Sequence, residues 1–173
     1  MKDIELYIPK LEDMWYEQKL HSDSLTMSYN AGYDVSYYGY HYDTGCIDFP
    51  KERWELTYNK RIKEKRFFAY IKDIKLNTFV GYVYYHFNKE ENRYECGILI
   101  ESKYREKGYS KIALNMLCQK ARKENIKELY DNFEIDRKNT LKLFESIGFE
   151  VAEKQKWKKF NNLVEGVIVR IRL

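Results

Sequence analysis

The chain has 173 residues, with 31 Lys+Arg against 27 Asp+Glu, a formal charge of +4, and 44% hydrophobic against 34% charged residues. That length fits a single domain spanning 1–173, and the composition excludes a disordered or fibrous chain. The balanced charge argues against a nucleic-acid arm, no apolar run reaches the roughly 18 residues of a membrane span, and the start MKDIELYIPKLED lacks a signal-peptide core.

Ile4, Leu6 and Ile8 alternate with polar residues and predict a first strand. Pro9 then opens a helical pattern with Leu11, Met14 and Trp15 on one face. From about Ser22 to Cys46 no period holds, and the stretch reads as a long ordered loop. It is rich in tyrosine: of 17 in the chain, six (Tyr29, Tyr33, Tyr37, Tyr38, Tyr40 and Tyr42) fall here. Asp48 and Pro50 mark a helix start, followed by Trp54, Thr57, Tyr58, Arg61 and Ile62 at helical spacing.

RFFAYIKD and FVGYVYYHFN predict a hairpin with its turn near Asp73–Asn77. RYECGILIE predicts a fourth strand, with Tyr94, Cys96, Ile98 and Ile100 on one face and Glu95, Gly97, Leu99 and Glu101 on the other. Tyr109, Ile112, Ala113, Met116, Leu117 and Ala121 form the stripe of a strong helix. KELYDNFEID predicts a fifth strand. Asn139–Ile147 predicts a short helix stopped by Gly148, and the tail predicts two strands joined near Asn161–Asn162, with Val167, Val169, Ile171 and Leu173 sharing a face. The fold class is α/β (α+β): a mixed, mostly antiparallel central sheet flanked by about four helices.

The chemically informative segment is ECGILIESKYREKGYSKIALNML. A strand ends, a short loop carries Arg105, Gly108 and Ser110, and an amphipathic helix begins. The first amides of a helix lack intrahelical partners and sit at the positive end of its dipole, so this is an anion site. Gly108 allows close approach to the backbone, Ser110 is small, and Arg105, Lys107 and Lys111 add positive charge. A phosphate or pyrophosphate is the natural ligand. Neither GxxxxGK[ST] nor GxGxxG is present.

Here the sequence resembles the GCN5-related N-acetyltransferase family. Arg105-Glu106-Lys107-Gly108-Tyr109-Ser110 is similar to that family's [Q/R]xxGx[G/A] loop, departing at Ser110, and Leu143-Phe144-Glu145-Ser146-Ile147-Gly148-Phe149 to its LYEKxGF block. The resemblance is specific over about 66–150. It implies transfer of an acetyl group from acetyl-CoA to a primary amine of a small-molecule or protein acceptor, in a sheet splayed between its fourth and fifth strands. The pantetheine arm would pair with the backbone of Ile98, Leu99 and Ile100, and the pyrophosphate with the amides from Glu106 to Lys111. A backbone N–H on that strand would hydrogen-bond the thioester oxygen.

Two departures stand out. The tyrosine said to protonate the departing thiolate is replaced by Phe144, which leaves Tyr130 or another tyrosine to substitute, and the family's asparagine corresponds to Arg137. Asn132 and Asn139 lie out of register with it; Asn139 is placed with the cofactor-binding residues. A base would help free the amine, and Glu95 is the first candidate, then Glu134 and Asp131, with His86 and His41 also considered. Residues 29–54 fall where the family builds its acceptor pocket, and Tyr38, His41 and Asp48 are the candidates for binding a cationic amine. The alternative is a non-catalytic or weakly active acyl-CoA-binding domain. Cys46, Cys96 and Cys118 are odd in number, far apart and without a metal-site pattern, which suits a reducing, cytoplasmic setting with no metal. No nucleic-acid or membrane partner is expected, and the last two strands could pair across a homodimer.

Overall fold

The alternating segments form seven strands: β1 (Ile4–Tyr7), β2 (Phe67–Asp73), β3 (Thr78–Asn88), β4 (Arg93–Ile100), β5 (Glu128–Glu134), β6 (Glu150–Lys159) and β7 (Asn162–Arg172). In the computed structural model, which describes residues 3–173, they make one sheet in the order β1-β2-β3-β4-β5-β7-β6. Every adjacent pair is antiparallel except β4 and β5. These two run parallel and meet at a single register pair, Glu95 with Tyr130, and beyond it they part. The expected splay is therefore present.

Five helices flank the sheet: α1 (Trp15–Ser22), α2 (Ser24–Met27), α3 (Trp54–Lys63), α4 (Tyr109–Lys123) and α5 (Lys138–Glu145). The addition to the expected four is α2, one turn inside the stretch read as irregular. Asp23 starts it by accepting from the Leu25 amide, and a single capped turn is too short to show a period. The first helix also differs from its reading. Leu11–Met14 is a 3-10 turn, and Leu11 and Trp15 are 36% and 49% exposed, while Met14, Tyr16 and Leu20 are buried. The tighter 3-10 winding rotates the face the two residues would have shared.

Each face of the sheet carries a core. On one, Val83, Tyr85, Cys96, Ile100, Leu129, Val167 and Val169 pack against Ala113, Leu114, Leu117 and Ala121 of α4 and Phe144 of α5. On the other, Tyr70, Tyr82 and Leu99 pack against Tyr16, Leu20 and Met27. A bulge decides which β3 side chains go where. Ile71 pairs with Gly81 but Lys72 pairs with Phe79, so Val80 is the extra residue. It shifts the alternation by one and turns Tyr82 and Tyr84 onto the face of α1 and α2. Leu117→Ala should lower stability by ~2–5 kcal/mol, because its side chain is wholly buried in the α4 core; urea unfolding would measure it.

The β6–β7 hairpin turns through Phe160 and Asn161, both at positive φ (46° and 62°), the geometry a two-residue hairpin loop favours. Its tip holds the tyrosine-rich loop. The Phe160 amide donates to the Gly32 carbonyl at 2.8 Å, Tyr33 forms a bridge with Lys159, and the Tyr42 ring packs edge-on against Phe160.

Candidate functional site: a cleft between two parted strands

Where β4 and β5 separate, a cleft of about 1310 Å³ opens. The β4 backbone from Cys96 to Ile100 forms one wall, including the positions Ile98, Leu99 and Ile100 expected to receive the pantetheine. Glu106, Gly108, Ser110 and Lys111 form one end. Tyr29, Tyr33, Asp34, Tyr82 and Tyr84 form the other, and Asp131 and Glu134 of β5 face across.

The charged end is built by backbone geometry. Glu106 has φ 60°, and Gly108 has φ 86° and caps α4 with no side-chain hydrogen bond. The amides of Glu106, Lys107 and Gly108 make no hydrogen bond among the described residues, and the first amides of α4 have no partner four residues back. A Cβ built at Gly108 would meet nothing within 4 Å, so the loop lies open there. This is a cradle of donors at the positive end of a 15-residue helix.

Side chains in this segment divide between binding and support. Lys111, Ser110 and Asn139 reach the cleft. Arg105 lines it too, but its guanidinium donates to the carbonyls of Ile100, Leu25 and Thr26 and ties the loop to α2. Those three bonds take three of its five N–H groups and fix the guanidinium against the backbone of β4 and α2. Tyr109 is 1% exposed and its hydroxyl donates to Asp73, so its side chain belongs to the core and not to the cleft. Lys107 does not line the cleft and lies 5.5 Å from the Tyr104 ring centre.

The candidate bases differ in what holds them. Glu95 lines the cleft and is paired with Arg93 at 3.1 Å. Glu134 accepts from both Lys159 and Tyr33. Burial works to raise its carboxyl, but those two hydrogen bonds together with the Lys159 and Arg137 charges outweigh burial and hold it below the ordinary range. Asp131, half-buried, has no ion pair among the described residues, where its side chain accepts from the Asn132 amide alone. Burial pushes Asp131 up, the Glu95 charge adds to that, the Asn132 amide and Arg137 pull it back, and it settles at about 7. His86 stacks on Tyr84 and does not line the cleft.

The tyrosine-rich loop contributes its first half only. Tyr38, His41 and Asp48 do not line the cleft. Tight turns at Gly39 and Gly45 fold this segment onto itself, so His41 pairs with Asp48 at 2.8 Å and Tyr38 lies under the Arg53 guanidinium at 3.9 Å. Tyr29, Tyr33 and Asp34 line the cleft in their place. Tyr82, Tyr84 and Trp157 also line it, and the sequence reading passed over all three. For Tyr82 and Tyr84 the missed signal was the bulge that sets the face of β3.

At the proton-donor position Phe144 is 1% exposed and packs edge-on against Phe149, with ring centres 4.8 Å apart. Tyr130 does not fill the gap: its hydroxyl donates to Glu128 and it lies outside the cleft lining. Arg137 lines the cleft, its guanidinium 5.4 Å from the Tyr29 ring centre. Among the described residues no group of three His, Cys, Asp or Glu could hold a metal ion, and no helix is long and apolar enough to cross a membrane.

A mixed sheet that splays between two central parallel strands, with a helix N-terminus and its open glycine loop at the mouth, defines the class of acetyltransferase folds. The chain belongs to the Acetyltransferase (GNAT) family, whose model matches residues 29–149. Among solved structures it is similar to a spermidine N-acetyltransferase from Vibrio cholerae in complex with CoA and spermine (17% identity, TM-score 0.78, 98% of this chain and 95% of that one). It is likewise similar to a ribosomal-protein-alanine N-acetyltransferase from Brucella melitensis (18% identity, TM-score 0.76, 99% of each chain). An N-acetyltransferase from Staphylococcus aureus Mu50 superposes with a TM-score of 0.75 at 12% identity, over 98% of each chain. No curated protein matches the sequence.

Proposed function

We propose that the chain, as one domain over 1–173, transfers the acetyl group of acetyl-CoA directly to a primary amine. The observation that carries this reading is the parting of β4 and β5 after one register pair, beside the open amides at Gly108. The exposed β4 backbone can pair with the pantetheine arm as a further strand would, and the loop amides can take the pyrophosphate. A β4 amide at the thioester oxygen would stabilise the developing oxyanion. The residues fit the co-substrate: donors lie where phosphate charge arrives, and Lys111 adds to them.

Asp131 is the base in this reading, in preference to Glu95 and Glu134. A carboxyl that titrates near neutrality can both lose and regain a proton during turnover, whereas Glu95 is engaged in an ion pair with Arg93 and Glu134 is held low by Lys159 and Tyr33. Glu95→Gln should therefore lower kcat by less than tenfold, which a steady-state assay with saturating acetyl-CoA would check. With Phe144 in place of a donor, water carries the proton to the CoA thiolate. The alternative, acyl-CoA binding without turnover, is less favoured because a titratable carboxylate faces the splay. Release of free CoA thiol with a panel of amines tests the proposal. Acetyl-CoA binding with no thiol released by any amine would reject it. The protein would work in the cytoplasm, and the edge strand β6 is the surface through which a homodimer would pair.

A further inference from the structure

Tyr84 pairs directly across the sheet with Gly97, and this pairing shapes the cleft. A Cβ at position 97 would lie 2.6 Å from both the Cζ and the hydroxyl oxygen of Tyr84. The phenol therefore lies flat over the β4 backbone and brings its hydroxyl to the splay, in space that any side chain at 97 would take. Both residues line the cleft, and Gly97 lies on the stretch of β4 beyond its last pairing with β5.

The hydroxyl has company. Tyr82, 8% exposed, has its ring centre 6.3 Å from that of Tyr84, and Tyr29 lines the same end of the cleft. None of these three hydroxyls has a hydrogen-bond partner among the described residues. Three hydroxyls that line one cleft without a protein partner, in a cleft that Asp131 also lines, make a set of acceptors for a group rich in N–H donors. The other tyrosines nearby are spoken for: Tyr33 donates to Glu134 and Tyr40 to the Asn30 carbonyl.

We infer that Tyr84 contacts the acceptor, receiving one N–H of a primary alkylammonium while Asp131 receives a second and Tyr29 or Tyr82 the third. This rests on the acetyl-transfer reading above. The ammonium passes a proton to Asp131 and becomes the neutral amine, held by Tyr84. Its lone pair attacks the thioester carbon, the C–N bond forms, and the C–S bond breaks with its electron pair leaving on sulfur. The surplus proton on the new amide nitrogen passes through water to the thiolate, and Asp131 returns its proton to solvent. Three N–H acceptors match a primary ammonium. A secondary ammonium has only two N–H bonds and leaves one acceptor unused.

The test is Tyr84→Phe in the full chain, which keeps the ring over Gly97 and removes only the hydroxyl. The probes are n-butylamine, spermidine and a lysine-containing peptide, each compared with its N-methylated counterpart, with acetyl-CoA as donor. The expected result is a drop of about tenfold or more in kcat/KM for the preferred primary amine. Acetyl-CoA affinity by calorimetry should be unchanged, and the preference for primary over N-methylated amine should shrink. Wild-type kinetics and an unchanged preference in the variant would overturn the inference while leaving the acetyl-transfer reading standing. No transfer by the wild type to any amine would overturn that reading, and the inference with it.

Discussion

Gly108→Glu should weaken acetyl-CoA binding by about a hundredfold or more, equivalent to ~2.7 kcal/mol or above. Two effects combine. A side chain at φ 86° is forced into a backbone region costly to any residue with a Cβ, and the Cβ itself points into space now open to ligand. The carboxylate then sits among the unpartnered amides of 106–108 and at the α4 N-terminus, where it competes with the phosphates it also repels. Gly108→Asn separates strain from charge, since asparagine tolerates the left-handed region and carries no charge. It should bind nearly as well as the wild type. Calorimetry with acetyl-CoA measures both, and circular dichroism establishes that the fold persists. Equal affinity for the glutamate variant would show that the diphosphate binds elsewhere.

Asp131→Asn should lower kcat by about 10²- to 10⁴-fold at neutral pH with little change in acetyl-CoA affinity. The direction of the pH dependence follows from the raised carboxyl. Asp131 takes a proton only when ionised, so wild-type activity should rise with pH through about 7 and then level off. Burial and the Glu95 charge raise that midpoint, the Asn132 amide and Arg137 lower it, and Tyr84 from β3, Cys96 from β4 and Tyr29 from the loop lie within its field. In the asparagine variant the limb near 7 should vanish. Its activity should instead climb toward about pH 10, where an alkylamine loses its proton unaided. A variant that keeps the midpoint near 7 would move the base to another residue.

The strands and the main helices follow from local periodicity, because burial on one face leaves its mark every second or every third to fourth residue. The α4 stripe is the clearest case: Tyr109, Ala113, Leu117 and Ala121 are all buried as their spacing requires. The anion loop was equally legible, since glycine at the start of a basic, amphipathic helix is local chemistry. What was not legible was the tyrosine-lined end of the cleft. Tyr38, His41 and Asp48 are near one another in sequence and in space, yet turns at Gly39 and Gly45 carry them away from the cleft. The count of tyrosines in that loop drew attention there, while two that line the cleft, Tyr82 and Tyr84, sit on a strand where tyrosine is unremarkable.

The sequence by itself determined the family, the order of elements and the backbone cradle at Gly108, because each depends on residues close together in the chain. Tertiary structure alone decided which carboxylate is free. Glu134 meets Lys159 and Tyr33, partners 25 and 101 residues away, whereas Asp131 meets no cation at ion-pair distance. It also decided that Tyr84 would reach the splay. One extra residue at Val80 turns that side chain onto the face of α1 and α2, and the register between β3 and β4 sets it against the only residue type, glycine, that leaves its ring room. Cross-strand register and long-range pairing arise from the packing of the whole sheet, so no local pattern announces them.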